Sequence, residues 1–130
     1  MLILLIGILP LHNFVGHAHW QYIRWVPTPD QLSSPDVLLD LGFDAAANIL
    51  LFVPWGVLMF IALYSVERPT VQTYILTILL GLTFTLGVEA WQYFLPSRVA
   101  DINDVIWNTS GTVAGAILGH MRLRVRFEFE

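Results

Sequence analysis

The run DAAANILLFVPWGVLMFIALY, residues 44–64, decides the fold of this chain. It matches the roughly 20 consecutive apolar residues that a helix needs to cross a bilayer, and its one charged residue, Asp44, stands first. The runs 71–91 and 101–121 have the same length, and each carries its acidic residues at one end. We therefore predict an all-α fold, a polytopic bundle of transmembrane helices.

A fourth apolar run, residues 1–16, is shorter and contains Pro10. We interpret it as a short, truncated first span rather than as a cleaved signal peptide. No Lys or Arg precedes the run, and no small-residue cleavage site follows it. The prediction is therefore a single transmembrane domain over residues 1–130 with about four spans.

The composition excludes several classes of protein. Of 130 residues, 56% are apolar and 12% are charged, and the mean hydropathy is +0.67, which leaves too few charges to cover a water-soluble globule. The net charge of −4 argues against a basic nucleic-acid-binding surface, so no nucleic acid partner is expected. The absence of cysteine excludes a disulfide, a thiolate nucleophile and a Cys-ligated metal.

The arginines predict the orientation of the chain in the membrane. Four of the six basic residues fall in the turn 65–70 or after Met121: Arg68, Arg122, Arg124 and Arg126. By the positive-inside rule this side is the cytoplasm, which makes the C-terminus cytoplasmic and the opposite helix ends outer.

Two flanking segments complete this prediction. The outer loop, residues 12–43, is rich in Pro and aromatic residues and is expected to lie at headgroup depth. The tail 122–130 alternates polar and apolar residues, which is the period of a strand. We expect a short interfacial strand or an unfolded tail there.

Polar residues stand at helical spacing at the outer ends of the three long spans: Asp44 and Asn48, then Glu89 and Gln92, then Asp101, Asp104 and Asn108. A charge at bilayer depth costs roughly 2.5 to 3.5 kcal/mol, so Glu89 is expected to face the interior of the bundle. Arg98, whose guanidinium can bridge two carboxylates, is the preferred partner of Glu89, together with Asp101 or Asp104. These residues predict an outward-facing polar pocket.

A structural alternative for the two aspartates has equal weight. Asp101 suits the N-cap of the last span, and Asp104 resembles the reciprocal residue of a capping box, with Asp in place of Glu. Arg98 would then be only a counter-ion to a helix N-terminus. Glu89 does not fit this alternative, because it lies inside a span and near no N-terminus in the sequence.

Small residues in the last span predict close helix packing. Gly111, Gly115 and Gly119 recur every four residues, a pattern that brings membrane helices together and that could equally form a seam between two copies of the chain. In the second span, Pro54 predicts a kink beside Gly56, either purely structural or opening a cavity below the polar cluster.

No cofactor or metal is expected. His12, His17 and His19 lie in the outer loop, but their spacing matches no metal-binding motif, even with Asp36 or Asp40 as a further ligand. The sequence contains no recognisable serine or threonine nucleophile and no glycine-rich phosphate loop. Only the carboxylates could carry acid–base chemistry.

The order of residues carries a family resemblance: Asp44-x3-Asn48-x3-Phe52-x-Pro54-x-Gly56, then Glu89-x2-Gln92, then Arg98-x2-Asp101-x2-Asp104-x3-Asn108-x2-Gly111-x3-Gly115. Over residues 43–119 this pattern resembles the VanZ-like family of small bacterial integral membrane proteins. The resemblance implies a four-helix protein of the bacterial plasma or inner membrane with no established catalytic reaction. It also implies a polar core of Glu89, Gln92, Arg98, Asp101, Asp104 and Asn108. The short first span departs from the full-length first helix that is usual in the family.

Three hypotheses for the function follow. The founding member of the family is associated with teicoplanin resistance. The first hypothesis is therefore a binding or envelope-modifying protein whose pocket binds or acts on an envelope amphiphile and contributes to glycopeptide tolerance. The amphiphile would be a lipid-linked cell-wall precursor, a lipid headgroup or the acylated antibiotic itself. The second is an intramembrane enzyme with Glu89 as general acid or base. The third is a structural or assembly protein, with the polar cluster as an internal clasp. Membrane lipids are expected partners in each case, and a homo-oligomer through the glycines is an open alternative.

Overall fold

The computed structural model describes residues 23–24, 35–94 and 100–128. Three helices account for most of them: α1 is Pro35–Leu63, α2 is Thr70–Gln92 and α3 is Ile102–Glu128. The strands β1, Ile23–Arg24, and β2, Ala100–Asp101, form a short parallel pair in which Arg24 lies opposite Asp101. The described residues are therefore mainly helical, as predicted, apart from this pairing and the non-helical residues 64–69 and 93–94. The predicted first span, the three outer-loop histidines and Arg98 lie outside the described residues.

Within the described ranges, α1 and α2 are long and apolar enough to cross a membrane. The prediction of spans is thereby supported for these two helices, and four spans are not established. The third helix is less apolar because asparagine, threonine and glycine interrupt its apolar residues and its last turns carry three arginines.

The first and third helices extend well beyond the predicted runs. The first begins at Pro35, well before Asp44, so the C-terminal part of the predicted outer loop is helical. Proline is tolerated in a first helical turn, because the N–H groups of that turn have no partner within the helix. Asp36 in the same turn stabilises the helix, because its negative charge lies at the positive end of the helix dipole.

The prediction of a strand or unfolded segment for the tail is wrong, because α3 continues to Glu128. Adding a residue to an existing helix costs far less than starting one, since each added residue brings its own hydrogen bond. Arg and Leu also have high helix propensities, and they outweigh a polar–apolar alternation of only a few residues.

Glycines allow α1 and α3 to approach until their backbones touch. A Cβ on Gly115 would overlap the Val53 carbonyl oxygen, and one on Gly111 would overlap the Ile49 carbonyl oxygen. From the other side, a Cβ on Gly56 would overlap the Thr112 carbonyl oxygen. The structure thus places the glycines of α3 against α1 of the same chain.

The helix α1 is continuous through Pro54, which is exposed. Gly56 next to it faces α3, and the Thr112 backbone fills the space beside it. The structure therefore shows no break in the helix at Pro54, and packed backbone lies where a cavity at Gly56 would have opened.

The interior and the surface of the bundle have inverted polarity. Four threonines are fully buried, namely Thr73, Thr77 and Thr85 of α2 and Thr112 of α3. Large apolar residues are exposed instead, among them Leu50, Leu58, Val71, Leu79 and Leu118. The buried apolar residues are Phe52, Phe60, Val88, Val105 and Ala116. Exposed leucine and valine around a polar, small-residue interior suit a bilayer rather than water.

Candidate functional site: a polar cluster joining three helices

The helix α3 meets α1 through a pair of polar side chains. The Asn48 amide donates from Nδ2 to Asp104 Oδ1 over 2.7 Å, and both residues are half-buried. Fifty-six positions separate them in the chain, so this bond fixes the relative height of the two helices. Hydrogen bonds to a carboxylate are shorter and stronger than neutral ones.

The helix α3 meets α2 through a capping box that is divided between two helices. Asp101 caps α3, because its Oδ1 accepts hydrogen bonds from the backbone N and the Nδ2 of Asn103, both at 2.9 Å. In an ordinary capping box the reciprocal carboxylate comes from the same helix, three residues later. Here Glu89 Oε2 of α2 accepts the backbone N–H of Asp101 at 3.0 Å.

This geometry changes the interpretation of Glu89. The sequence placed it near no helix N-terminus, but folding brings it to the N-terminus of α3. Asp104, the expected reciprocal residue, instead accepts from Asn48. The N-cap and the polar cluster are therefore parts of one arrangement rather than alternatives.

A third contact lies one turn deeper. The Asn108 amide donates from Nδ2 to Thr85 Oγ1 over 2.9 Å, and Asn108 is only 4% exposed. Its Oδ1 is buried and has no hydrogen-bond partner among the described residues. A buried acceptor without a partner is costly, so this oxygen is a point where a donor would be favourable.

The other residues of the predicted site lie at different depths. Gln92 is buried one turn beyond Glu89, at 8% exposure. Asp44 is exposed on α1, one turn before Asn48. The pairing of β1 with β2 puts Arg24 at the register position opposite Asp101, a juxtaposition that sequence reasoning missed. The predicted bridge from Arg98 to Glu89 falls outside the described residues.

Sequence reasoning also missed a stripe of small and polar residues on α2. Thr73, Thr77, Gly81, Thr85 and Glu89 follow one another at four-residue spacing, and all are buried. Gly81 is packed so closely on Thr112 that a Cβ would lie 2.6 Å from its side chain. The spacing was visible in the sequence, and it is the signal that identifies the face of α2 that contacts α3.

The bond between Asn48 and Asp104 is testable by a double-mutant cycle. We expect the effects of Asn48→Ala and Asp104→Ala on the free energy of unfolding in detergent to be non-additive by about 1 to 2 kcal/mol. The reason is that each substitution alone removes the same hydrogen bond. Asp44→Ala, an exposed change one turn away on the same helix, is the control, with a coupling to Asp104→Ala below about 0.5 kcal/mol. Equal coupling in the two cycles would contradict a direct bond.

The fold and the polar cluster together define a class of protein. An integral membrane helix bundle typically has long apolar helices with apolar residues outside and polar or small residues inside. Its buried carboxylate and carboxamide side chains face the interior and contact neighbouring helices. The model of the VanZ/LLP1 family matches residues 3–123, and the chain belongs to that family. The resemblance predicted from the sequence is thereby confirmed. No curated protein and no solved structure matched the chain.

Proposed function

We propose that this chain is a multi-pass membrane protein whose polar cluster binds the headgroup of a cell-envelope amphiphile. The cluster consists of Asn48, Glu89, Gln92, Asp101, Asp104 and Asn108. The amphiphile would be a lipid-linked cell-wall precursor or a membrane lipid. The observation that carries the proposal is the buried Asn108 Oδ1, which lacks a partner among the described residues and lies one turn below Asp104.

The chemistry of the cluster supports a ligand group that carries hydrogen-bond donors. The carboxylates of Glu89, Asp101 and Asp104 provide acceptor oxygens, and the amide oxygen of Asn108 lacks a partner among the described residues. Hydroxyl or ammonium groups of a ligand could donate hydrogen bonds to these oxygens. The Asn48 amide has a second N–H besides the one that it donates to Asp104. In this proposal Arg98, three residues before Asp101, meets a phosphate or carboxylate of the ligand.

The proposed orientation places the cluster on the outer side of the membrane. Tyr74 of α2 bonds to His120 of α3, so the turn after α1 and the C-terminal part of α3 are at the same end of the bundle. That end carries Arg68, Arg122 and Arg124, and the cluster lies at the opposite end. By the positive-inside rule the arginine end is cytoplasmic. An outer cluster would lie where an acylated glycopeptide meets the membrane.

Glycopeptide susceptibility tests this proposal. We expect a sensitive Gram-positive host expressing the chain to tolerate teicoplanin, which carries an acyl chain, better than the empty host, with little change for vancomycin. Glu89→Gln and Arg98→Ala should abolish the gain at matched membrane abundance. Glu67→Gln, the same chemical change at an exposed position in the turn at the opposite end, should keep it.

The outcomes distinguish the alternatives. An unchanged susceptibility at good expression of the wild type would contradict the proposed role in tolerance. If both variants lose tolerance while teicoplanin or lipid-linked precursor still binds the purified protein, acid–base catalysis by Glu89 is favoured over binding.

One observation favours a structural clasp as a second candidate function. Three side-chain bonds of the cluster join different helices of the same chain: Asn48 to Asp104, Glu89 to Asp101 and Asn108 to Thr85. A clasp predicts that substitutions in the cluster lower the folded yield in proportion to the bonds removed. A binding site predicts lost ligand affinity at normal folded yield.

A further inference from the structure

A second group of polar side chains lies at the opposite end of the bundle from Glu89. His120 of α3 is half-buried and both of its ring nitrogens are engaged. Nδ1 is 2.9 Å from the hydroxyl of Tyr74 on α2, and Nε2 accepts a hydrogen bond from Arg124 Nε at 3.2 Å. The ring also stacks on Phe60 of α1, with centroids 5.6 Å apart. All three helices therefore hold His120 in place.

The bonding of His120 fixes the orientation of Arg124. Because Nε2 accepts a hydrogen bond from Arg124, this nitrogen carries no proton. In the neutral ring the proton is therefore on Nδ1, which faces the hydroxyl of Tyr74. Arg124 is exposed, and among the residues whose side chains the structure describes its guanidinium has no other hydrogen bond or ion pair. The two terminal nitrogens remain available as a fork, the geometry that binds a phosphate through two parallel bonds.

Apolar residues continue from this fork along the outer face of α3. Ile117, Met121 and Val125 are exposed and recur every four residues, and Met121 is one turn from Arg124. Among the described side chains at this end, three are positive and one is negative: Arg68, Arg122 and Arg124, against Glu67. The surface thus combines a directed cation with a stripe of apolar side chains.

We propose that Arg124, oriented by His120, binds the phosphate of an anionic phospholipid whose acyl chain lies along Ile117 and Met121. Charge complementarity selects an anionic headgroup, and the apolar stripe selects a ligand that carries an acyl chain. Tyr74 lies four residues after the start of α2, and tyrosine is enriched at membrane–water interfaces, where lipid headgroups lie. This site is separate from the polar cluster at Glu89 and does not depend on the function proposed for it.

Lipid competition measured by native mass spectrometry tests the site. The purified full chain in detergent is mixed with equal amounts of phosphatidylglycerol and phosphatidylcholine at about 0.15 M ionic strength. The wild type should bind phosphatidylglycerol preferentially. Arg124→Gln should lower that preference about fivefold, the change expected for one arginine beside an anionic headgroup.

Arg122→Gln is the matched control. It removes the same charge from the neighbouring exposed position, but Arg122 has no bond to His120. We expect it to lower the preference by less than about twofold, because an exposed charge without a fixed geometry is screened by salt. Equal losses in the two variants would show a diffuse positive surface and overturn the proposal.

His120 is a positioning residue here, and two substitutions separate its role from simple packing. His120→Phe keeps a ring against Phe60 but removes the acceptor for Arg124, so it should lower the preference for phosphatidylglycerol. His120→Gln restores an acceptor near the position of Nε2 and should recover most of that preference. If His120→Phe binds phosphatidylglycerol as the wild type does, the orientation of Arg124 by His120 is contradicted.

A final comparison identifies the source of the phosphate. Inorganic phosphate is added and compared with sodium chloride at the same ionic strength. The two salts should displace phosphatidylglycerol equally, because they screen charge equally at the same ionic strength. Free phosphate should have no further effect, because it lacks the acyl chain that the apolar stripe binds. Selective displacement by phosphate would show a site for the free ion and overturn the assignment to a lipid.

Discussion

Gly115→Ala is expected to destabilise the folded chain by about 2 to 3 kcal/mol, although alanine is the better helix former. The added Cβ would overlap the Val53 carbonyl oxygen and lie 2.8 Å from Val57 N and 2.9 Å from the Gly56 Cα. All three contacts are with backbone, so no side-chain rotation relieves them. The helices α1 and α3 would have to separate, which also weakens the bond from Asn48 to Asp104.

Gly87→Ala provides a matched control with the opposite expected sign. A Cβ at Gly87 would meet nothing within 4 Å, so the substitution should stabilise the chain by about 0.5 to 1 kcal/mol through helix propensity. The unfolding temperature of both variants is measured in detergent by heating the protein and monitoring the loss of its monodisperse fraction. If Gly115→Ala leaves the unfolding temperature of the monomer unchanged but abolishes an oligomer, the glycines serve contacts between copies of the chain instead.

The apolar runs predicted the helices but not their ends. Hydropathy reports which residues enter a bilayer, whereas a helix begins and ends where its backbone hydrogen bonds do. The first helix therefore reaches back to Pro35 through residues such as Asp36 and Asp40 that no hydropathy scale assigns to a span. The same reasoning explains why α3 runs on to Glu128.

The composition of the site could be predicted, but its connections could not. Helical spacing selected Asp104 and Asn108, and both lie where α3 meets its neighbours. Which helix each one contacts depends on the rotation of α3 between α1 and α2, and that rotation is set by the glycine contacts. The N-cap role of Asp101 was readable locally, whereas its second partner, Glu89, comes from another helix.

The group around His120 could not be predicted from the patterns used for the site. His120 stands inside an apolar run, and its partners Tyr74 and Phe60 come from two other helices. Only its contact with Arg124, four residues later, follows a helical spacing. A contact between distant residues leaves no periodic signal in a single sequence.

Glu89→Ala is expected to lower the free energy of unfolding by about 2 to 3 kcal/mol, the cost of leaving a partly buried backbone donor without its charged acceptor. The donor is the N–H of Asp101, which Glu89 Oε2 accepts at 3.0 Å. Glu89→Gln should cost less than about 1 kcal/mol, since the amide oxygen of glutamine can accept the same N–H. The alanine variant thus tests the bond, and the glutamine variant tests the charge.

The two variants of Glu89 also separate the clasp from the binding site. Glu67→Gln, at an exposed position in the turn at the opposite end, is the control and should match the wild type in stability and in teicoplanin tolerance. For a binding site, Glu89→Gln should retain the wild-type unfolding temperature and lose tolerance, because a headgroup that meets the carboxylate requires its charge. For a clasp, the teicoplanin tolerance of each variant should instead fall in proportion to its loss of free energy of unfolding. Glu89→Gln would then be nearly as tolerant as the wild type, and Glu89→Ala would not. A glutamine variant that is stable and fully tolerant would therefore exclude a role for the charge of Glu89 in binding the ligand.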